Sequence, residues 1–341
     1  MSQPAFTNKD YIRESSNAIG SWFLAYKKLK QDTLIQFKIK KKSATNISSF
    51  DFDHSLHDGM SCLSHLSQKE NFEISQIKKD SDSQQFKFFD HSFYLYFKQT
   101  LLFLYYARKR KFNIWGVKYS YQFKNETHEA NQKKQIFNIT TTELNEVIHF
   151  CKSNNVNLNA YLLYCLNQTI KNHFNITQET SWWMPVNFRS EFKLFQNISL
   201  DSEQLNCVSN FTITIKNQDS VQAVYQNIKA SLKNKLHWGV WAWQRLALYL
   251  SENMIVSLCK DQLRNNFYVG TFTNLGQWQS KTEFDEFYFF VNTLPSHPIG
   301  ASAIQINDTL YLGLKFHSCL LMTIDETLAI SQKWKNTILR K

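Results

Sequence analysis

The first part of the chain changes from a helical to an alternating pattern of apolar positions. Between residues 10 and 30, large apolar side chains recur at helical spacing, which predicts an amphipathic helix. Residues 33–40 and 45–53 alternate apolar and polar side chains instead, which predicts two strands joined as a hairpin. Apolar positions from Met60 to Leu66 then begin a second helix. The turn between the second strand and this helix falls at residues 54–59.

The next stretch carries weaker signals. Residues 67–85 and 116–134 are polar and are expected to be a surface loop and a linker. Between them, residues 86–106 are dense in Phe, Tyr and Leu and are expected to form a core or interface helix. The basic run at 108–111 that follows leaves peripheral membrane contact open as an alternative for this segment.

Helical and alternating patterns continue to the C-terminus. Thr140 or Thr141 is a good N-cap for a helix that ends near Lys152, and residues 158–174 are typical of a long buried helix. A final helix is predicted at 325–339. Strands are predicted at 136–139, 180–187, 206–215, 267–274, 286–292, 301–306 and 309–316. This mixture of helices and strands predicts an α/β protein with mixed sheets.

Candidate chemistry is concentrated at the turn that follows the second strand. The run Asp53-His54-Ser55-Leu56-His57-Asp58-Gly59 contains the spacing His-x-x-x-Asp-Gly. A histidine fixed at a strand end can take a proton from a hydroxyl near neutral pH. An aspartate four residues later can hold the loop, and a glycine lets the backbone turn sharply. The pattern therefore makes His54 a candidate general base.

Composition and charge limit the kinds of molecule that the protein is expected to bind. The 341 residues are 43% hydrophobic, which is enough chain for two ordinary domains. The net charge of +11 is spread along the sequence and is interpreted mainly as compositional drift. Because lysines and arginines are dispersed, no nucleic-acid partner is expected. A polyanionic cosubstrate such as coenzyme A agrees with both the charge and the candidate base.

The cysteines and the N-terminus point to a reducing compartment. The 6 cysteines occur singly, with no Cys-x-x-Cys pair and no His/Cys cluster at zinc spacing. We therefore expect reduced thiols and no metal. The N-terminus lacks the pattern of a signal peptide, and no segment is apolar enough for a transmembrane helix. A cytoplasmic protein is expected.

Four segments, in this order, resemble those of a known superfamily. The run 53–59 is similar to a His-His-x-x-x-Asp-Gly motif, and residues 153–163 are similar to the start of its Thr-x-Asn helix. Residues 183–189 are similar to a Pro-Val-Asn-Leu-Arg strand, and residues 273–276 to a Ser-Asn-Leu-Gly element. The chain thus resembles the coenzyme-A-dependent acyltransferases with the chloramphenicol-acetyltransferase-like fold. That superfamily includes condensation domains, alcohol acyltransferases and wax ester synthase/diacylglycerol acyltransferases.

The resemblance implies two similar α/β sandwich domains with mixed sheets that form a central tunnel. Residues 1–125 would be the N-terminal half that carries the motif, and residues 135–341 the C-terminal half. It also implies acyl transfer from a CoA or carrier-protein thioester to a small acceptor, by preference a hydroxyl and less readily an amine. A carrier protein would be a further partner. The aromatic-rich sequence favours an apolar or lipidic substrate, and no permanently bound cofactor is implied.

The resemblance also assigns roles to individual residues. His54 would be the general base. Asp58 would support the loop through an ion pair with an arginine, for which Arg189 is a candidate, while Gly59 would play a steric part. Asn274 and Gly276 match the fourth segment and are expected to bind substrate.

Two departures from the superfamily pattern support an alternative function. Asp53 replaces the first histidine of the motif, and only 53 residues precede His54. A hairpin or helix of the N-terminal half is therefore expected to be missing, and the tunnel to be more open. The alternative is a degenerate member that binds a thioester, a lipid or a protein without turning it over.

Four other histidines, His57, His65, His237 and His317, are interpreted as structural. His57 lies inside the motif at the wrong offset for the base, and His65 lies on the following helix. His237 lies beside Trp238, Trp241 and Trp243. This aromatic cluster is expected to be a helix-packing stripe, with the lining of an acyl tunnel as the alternative.

Overall fold

The computed structural model describes residues 8–76, 133–188, 205–264 and 268–340, together with helical positions 97 and 101. The predicted aromatic helix at 86–106 lies outside the described residues, apart from those two positions. Most of the predicted linker at 116–134 also lies outside them.

The N-terminal elements follow the predicted order. Helix α1 spans Asn8–Lys28, strand β1 spans Leu34–Lys41 and strand β2 spans Ser48–Asp53. The two strands pair antiparallel, so the predicted hairpin is confirmed. Helix α2 then spans Gly59–Lys69.

The segment expected to be a surface loop contains a short strand. Residues Ile74–Gln76 form β3, which pairs antiparallel with a strand from the C-terminal half. The prediction of a loop throughout residues 67–85 is therefore wrong, since α2 extends to Lys69 and β3 follows it. A three-residue strand at the end of a sheet is held by backbone pairing, so its side-chain pattern carries little signal.

The later elements confirm most of the predicted ones and add two helices, at 221–233 and 252–263. The helix at 158–174 and the strands at 180–187 and 309–316 have the predicted bounds, and the helix at 236–244 carries the aromatic cluster that was expected on a helix. The strands are β4 (Lys133–Ile139), β5 (Thr180–Asn187), β6 (Val208–Ile215), β7 (Gly270–Ser280), β8 (Phe284–Phe290), β9 (Ile299–Ile306) and β10 (Thr309–Phe316). The helices are α3 (Thr141–Ser153), α4 (Leu158–Phe174), α5 (Val221–Lys233), α6 (Leu236–Gln244), α7 (Glu252–Leu263) and α8 (Ile324–Leu339).

The described strands form two sheets. The larger has the order β4-β10-β9-β7-β5-β6, and β3 also pairs with β7. Strand β7 runs parallel to β5 and β9, whereas the other pairings are antiparallel, so the sheet is mixed as predicted. The smaller sheet has the order β2-β1-β8.

Strands from the N-terminal and C-terminal parts of the chain pair with each other. The C-terminal strand β8 lies beside β1, with Phe37 opposite Phe289, and the N-terminal strand β3 lies beside β7. The pairing places the buried side chains of Ile35, Phe37, Phe287 and Phe289 in one core. No helix within the described ranges is long and apolar enough to cross a bilayer.

Candidate active site

A cavity of about 460 Å³ has walls from both sheets and from helices α1, α6 and α7. The smaller sheet contributes Ile35 and Phe289, and the larger sheet contributes Trp183, Thr271 and Asn274. His54 also lines it. The strongest motif of the sequence therefore faces the space between the two sheets.

Hydrogen bonds fix the backbone and the ring of His54. The residue follows β2, and its backbone N–H donates to the carbonyl of Thr33 at 3.1 Å. Its ring Nδ1 lies 2.8 Å from the carbonyl oxygen of His57. Since that oxygen can only accept, Nδ1 carries the proton and Nε2 presents a lone pair. This is the tautomer that a general base requires.

Asn206 is consistent with this tautomer. Its Nδ2 lies 3.2 Å from the His54 Nδ1 but only 2.7 Å from the His54 carbonyl oxygen. Two N–H groups cannot bond each other, so the amide of Asn206 donates to the carbonyl. The described residues form no hydrogen bond to Nε2 of His54. The ring is thus oriented at one nitrogen, and the other is left for a ligand.

The surroundings of the ring keep it neutral. Burial lowers the pKa of His54 below its ordinary value of 6.5 and outweighs the opposing effects of the His57 carbonyl and the Asp58 carboxylate. Phe23 of α1 stacks on the ring with centroids 3.9 Å apart and planes at 22°. An imidazole that stays unprotonated below its usual pKa is suited to accept a proton.

The Asp58 carboxylate is occupied by three backbone N–H groups. Its Oδ1 accepts from Met60 at 3.0 Å and from Ser61 at 2.9 Å, which caps α2. Its Oδ2 accepts from the N–H of Cys207 at 2.7 Å, just before β6. Asp58 is 3% exposed and joins the His54 loop to the other half of the chain. The expected partner, Arg189, lies outside the described residues.

Gly59 is needed for close approach rather than for its φ angle. A Cβ at this position would lie 2.7 Å from Cδ2 of Leu275 on β7. Its φ is not positive, unlike that of Gly276. The glycine therefore lets the His54 loop lie against β7.

Asp53 makes an ion pair with Lys27 of α1, and its Oδ1 accepts from the N–H of Ser55 at 2.9 Å. Burial alone would raise the pKa of Asp53, but these hydrogen bonds outweigh it and hold the pKa below its ordinary value. Asp53 is therefore ionised and ties the loop to α1.

Helix α1 lies directly over the His54 loop. A Cβ on Gly20 would be 2.5 Å from the carbonyl oxygen of Ser55, so helix and loop touch through backbone atoms. The hydroxyl of Ser16 accepts from the N–H of Asn206 at 2.8 Å. Together with the stacking of Phe23 on the ring, these contacts show that α1 supports both His54 and its loop.

The fourth segment of the resemblance lies beside the cavity. Asn274 Nδ2 donates to Asn159 Oδ1 at 2.6 Å, and Asn274 Oδ1 accepts from the N–H of Gly276 at 2.8 Å. Gly276 has φ of 88° at an irregularity of β7. Among the described residues that line the cavity, Asn274 is present and Gly276 is not.

The remaining histidines and tryptophans divide between core and cavity. Trp238 and Trp241 are buried with Phe188 in one cluster, whereas Trp243 lines the cavity. The rings of His57 and His65 lie 6.1 Å apart beside Phe52. His57 contributes its backbone carbonyl to the site. A backbone contact of this kind cannot be predicted from the type of side chain.

Sequence reasoning missed Phe23, Asn206 and His297, all of which contact or line the site. Each comes from a segment remote from the motif, so no local pattern links it to His54. All six cysteines lie in the described ranges and none is in a disulfide. Within those ranges, no group of His, Cys, Asp and Glu is arranged to hold a metal.

Comparisons with known proteins identify the fold. No protein-family model and no curated protein matches the sequence. Three similar solved structures are a trichothecene 15-O-acetyltransferase from Fusarium sporotrichioides, the epimerization domain of the third module of tyrocidine synthetase B, and the starter condensation domain of rhizomide synthetase. The last is a variant in complex with C8-CoA and Leu-SNAC.

The identities are low and the coverage is high. The acetyltransferase has 13% identity and a TM-score of 0.59, over 89% of this chain and 70% of that one. The epimerization domain has 13% identity and a TM-score of 0.52, over 85% of this chain and 68% of that domain. The condensation domain has 8% identity and a TM-score of 0.50, over 86% of this chain and 65% of that domain. The chain therefore has the fold of the condensation-domain and CoA-dependent acyltransferase superfamily.

Proposed function

We propose that this protein is an acyltransferase that moves an acyl group from a CoA or carrier-protein thioester to a hydroxyl of an apolar acceptor. An amine is the less favoured acceptor. The observation that carries the proposal is the state of His54 in the cavity, where Nδ1 is held by the carbonyl of His57 and Nε2 offers its lone pair. Asp53, Asp58, Gly59 and Arg189 would support the site, and Asn274 and Gly276 would contact substrate.

The proposed reaction needs one base and no covalent enzyme intermediate. Nε2 of His54 takes the proton of the acceptor hydroxyl as its oxygen attacks the thioester carbonyl carbon. The tetrahedral intermediate collapses by breaking the carbon–sulfur bond. The departing thiolate then recovers the proton from the imidazolium, which leaves an ester, a free thiol and neutral His54.

Two of the similar structures support this chemistry. One is a named O-acetyltransferase, and the other was determined with C8-CoA bound. The cavity supports an apolar substrate, since aromatic and aliphatic side chains such as Trp22, Tyr26 and Val240 line most of it. No permanently bound cofactor is proposed, and the location we propose is cytoplasmic, with at most peripheral membrane contact.

A transfer assay tests the proposal. Purified protein is incubated with acyl-CoA of several chain lengths and a panel of alcohols and amines, and free CoA and ester or amide products are measured. His54→Ala and His54→Gln are expected to reduce turnover by at least about a hundredfold, the scale of general-base catalysis. His65→Ala is the matched control, because His65 is half-buried on α2 and does not line the cavity. Equal turnover in wild type and His54→Ala would reject His54 as the base.

A second candidate function is binding without turnover. Asp53 at the position of the first histidine and Phe23 stacked 3.9 Å from the His54 ring both favour it. This function predicts that acyl-CoA binds, by calorimetry, with similar affinity to wild type and His54→Ala, while no acceptor yields product. Product formation that depends on His54 would exclude it.

A further inference from the structure

A second histidine lines the same cavity and takes no part in the proposed reaction. His297 lies on the connection between β8 and β9 and is 3% exposed. Its ring stacks on Trp183 of β5, with centroids 4.7 Å apart and planes at 22°. Trp183 also lines the cavity, so the two rings form one continuous part of its wall.

The hydrogen bonds of His297 leave one polar atom for a ligand. Its backbone N–H donates to the carbonyl of Leu294 at 2.9 Å, and Nδ1 lies 3.1 Å from the hydroxyl of Ser296. In the part of the chain that the structure describes, Nε2 has no hydrogen-bond partner. Burial lowers the pKa of His297 to about 3, so the ring is neutral at physiological pH. Since His297 lines the cavity, a ligand there can form a hydrogen bond with Nε2.

Two strands give the approximate distance along the cavity between His297 and His54. From Trp183, β5 leads to Phe188, the residue just after the strand, whose N–H donates to the carbonyl of Cys207. The N–H of Cys207 in turn donates to Asp58. Five residues of strand extend about 16 Å. Strand β7 gives a similar span of about 13 Å from Thr271, opposite Trp183, to Leu275 beside Gly59. His54 and His297 therefore face opposite ends of an elongated cavity.

We propose that His297 and Trp183 form a recognition site for an uncharged hydrogen-bonding group, such as a hydroxyl or a carbonyl, at the remote end of the substrate. This inference rests on the proposed function and specifies its substrate class. The preferred substrate is an apolar chain that reacts at the His54 end and carries a neutral polar group on the order of 15 Å away.

The charges around the cavity restrict that group to an uncharged one. Asp58 and Asp261 are the charged side chains among the described residues that line it, and no described lysine or arginine does. An anionic group would therefore be desolvated without a counter-ion. Asp58 is occupied by backbone N–H groups. The Asp261 side chain is 68% exposed and lies 3.8 Å from Arg264, so its charge is screened by solvent rather than held inside the cavity.

Matched substrate pairs test the site. Transfer rates and calorimetric affinities are compared for dodecanol against dodecanediol, and for dodecanoyl-CoA against its ω-hydroxy derivative. One hydrogen bond of this kind gives roughly a fivefold preference for the hydroxylated member of a pair. The variant His297→Phe keeps a ring against Trp183 and removes both nitrogens, so it is expected to lose the preference, which is measured in each variant relative to its own rate and affinity for the plain chain.

The controls separate this inference from the proposed function. His297→Gln keeps a neutral polar group and should retain part of the preference, whereas His317→Phe, at a buried histidine outside the lining, should retain all of it. If His297→Phe does not fold, His297→Leu replaces it. An unchanged preference in both apolar variants, or no preference in wild type for either pair, overturns the recognition site. Loss of turnover in every protein, with the calorimetric preference intact, contradicts only the proposed reaction.

Discussion

At the scale of single residues, the Asp58 carboxylate has the largest structural effect on the candidate site. One oxygen caps α2, and the other binds the N–H of Cys207, which is completely buried. Because Asp58 is only 3% exposed, solvent replaces these contacts poorly. The position of His54 relative to β6 thus depends on both oxygens being acceptors.

Replacing Asp58 with Asn is expected to destabilise the protein by about 1–3 kcal/mol, because an amide offers one acceptor where two are needed. Either the cap of α2 or the N–H of Cys207 then faces an N–H group. Urea unfolding measures the change. Asp51→Asn, on the exposed part of β2, is the matched control and should stay within about 0.5 kcal/mol of wild type. Equal effects of the two substitutions would mean that the Cys207 contact contributes nothing.

The lowered pKa of His54 predicts the acid side of the pH–rate profile. The neutral ring is the active form, and burial extends it to lower pH, so the acid inflection of kcat/KM is expected below 6.5. The Asp58 carboxylate opposes this shift by favouring the charged ring. Asp58→Asn should therefore move the inflection further towards acid. An inflection above 6.5, or a shift towards alkaline pH in this variant, would contradict the assignment of His54.

At the scale of elements, α1 determines the shape of the site although it carries none of the motif. Its predicted apolar face was confirmed, and residues such as Ile12 and Ile19 are completely buried. The contacts of Gly20 and Phe23 with the His54 loop could not be predicted, because both depend on how the helix lies across a turn more than thirty residues away.

Local sequence patterns predicted most individual helices and strands, but not which distant strands pair with each other. The hairpin of β1 and β2 and the helix Leu158–Phe174 follow from periodicity and short connections. The pairing of β8 with β1 joins residues about 250 positions apart, and no local signal records it. Helices α5 and α7 were missed although each begins after a serine N-cap and buries apolar side chains at helical spacing, so here the sequence carried the signal.

The contact between α1 and the loop predicts an unusual effect of a helix-favouring substitution. Gly20→Ala would normally stabilise a helix by up to about 1 kcal/mol. Here the added Cβ meets the carbonyl oxygen of Ser55 at 2.5 Å, so a net loss of about 1–3 kcal/mol and reduced turnover are expected. Thermal unfolding and the transfer assay measure both. Ser21→Ala is the neighbouring control and should leave turnover unchanged. A Gly20→Ala protein more stable than wild type would show that the loop has room to move.

At the scale of the whole molecule, the two halves are joined by a buried ion pair as well as by paired strands. Lys315 of β10 is completely buried, and its ammonium binds the Asp32 carboxylate just before β1. Burial lowers the pKa of Lys315, and the attraction of Asp32 partly offsets this effect. The pair connects a strand of the larger sheet to the residue that precedes β1 of the smaller sheet, so we expect it to couple the folding of the two sheets.

A double-mutant cycle tests this coupling. Lys315→Met removes the cation beside a carboxylate with 11% exposure, which keeps the hydrogen bond from the N–H of Leu34. Asp32→Asn removes the counter-ion of a buried ammonium, which keeps only the amide oxygen of Gln36 at 3.5 Å, so each substitution is expected to cost about 3–5 kcal/mol. The double variant should cost clearly less than the sum of the two single costs, because it leaves neither a buried ammonium nor a buried carboxylate without its counter-ion. Chemical unfolding, followed by tryptophan fluorescence and by circular dichroism, gives the four free energies of unfolding. Additive single effects, or two separate transitions in wild type, would mean that the halves fold independently and that the pair is not what joins them.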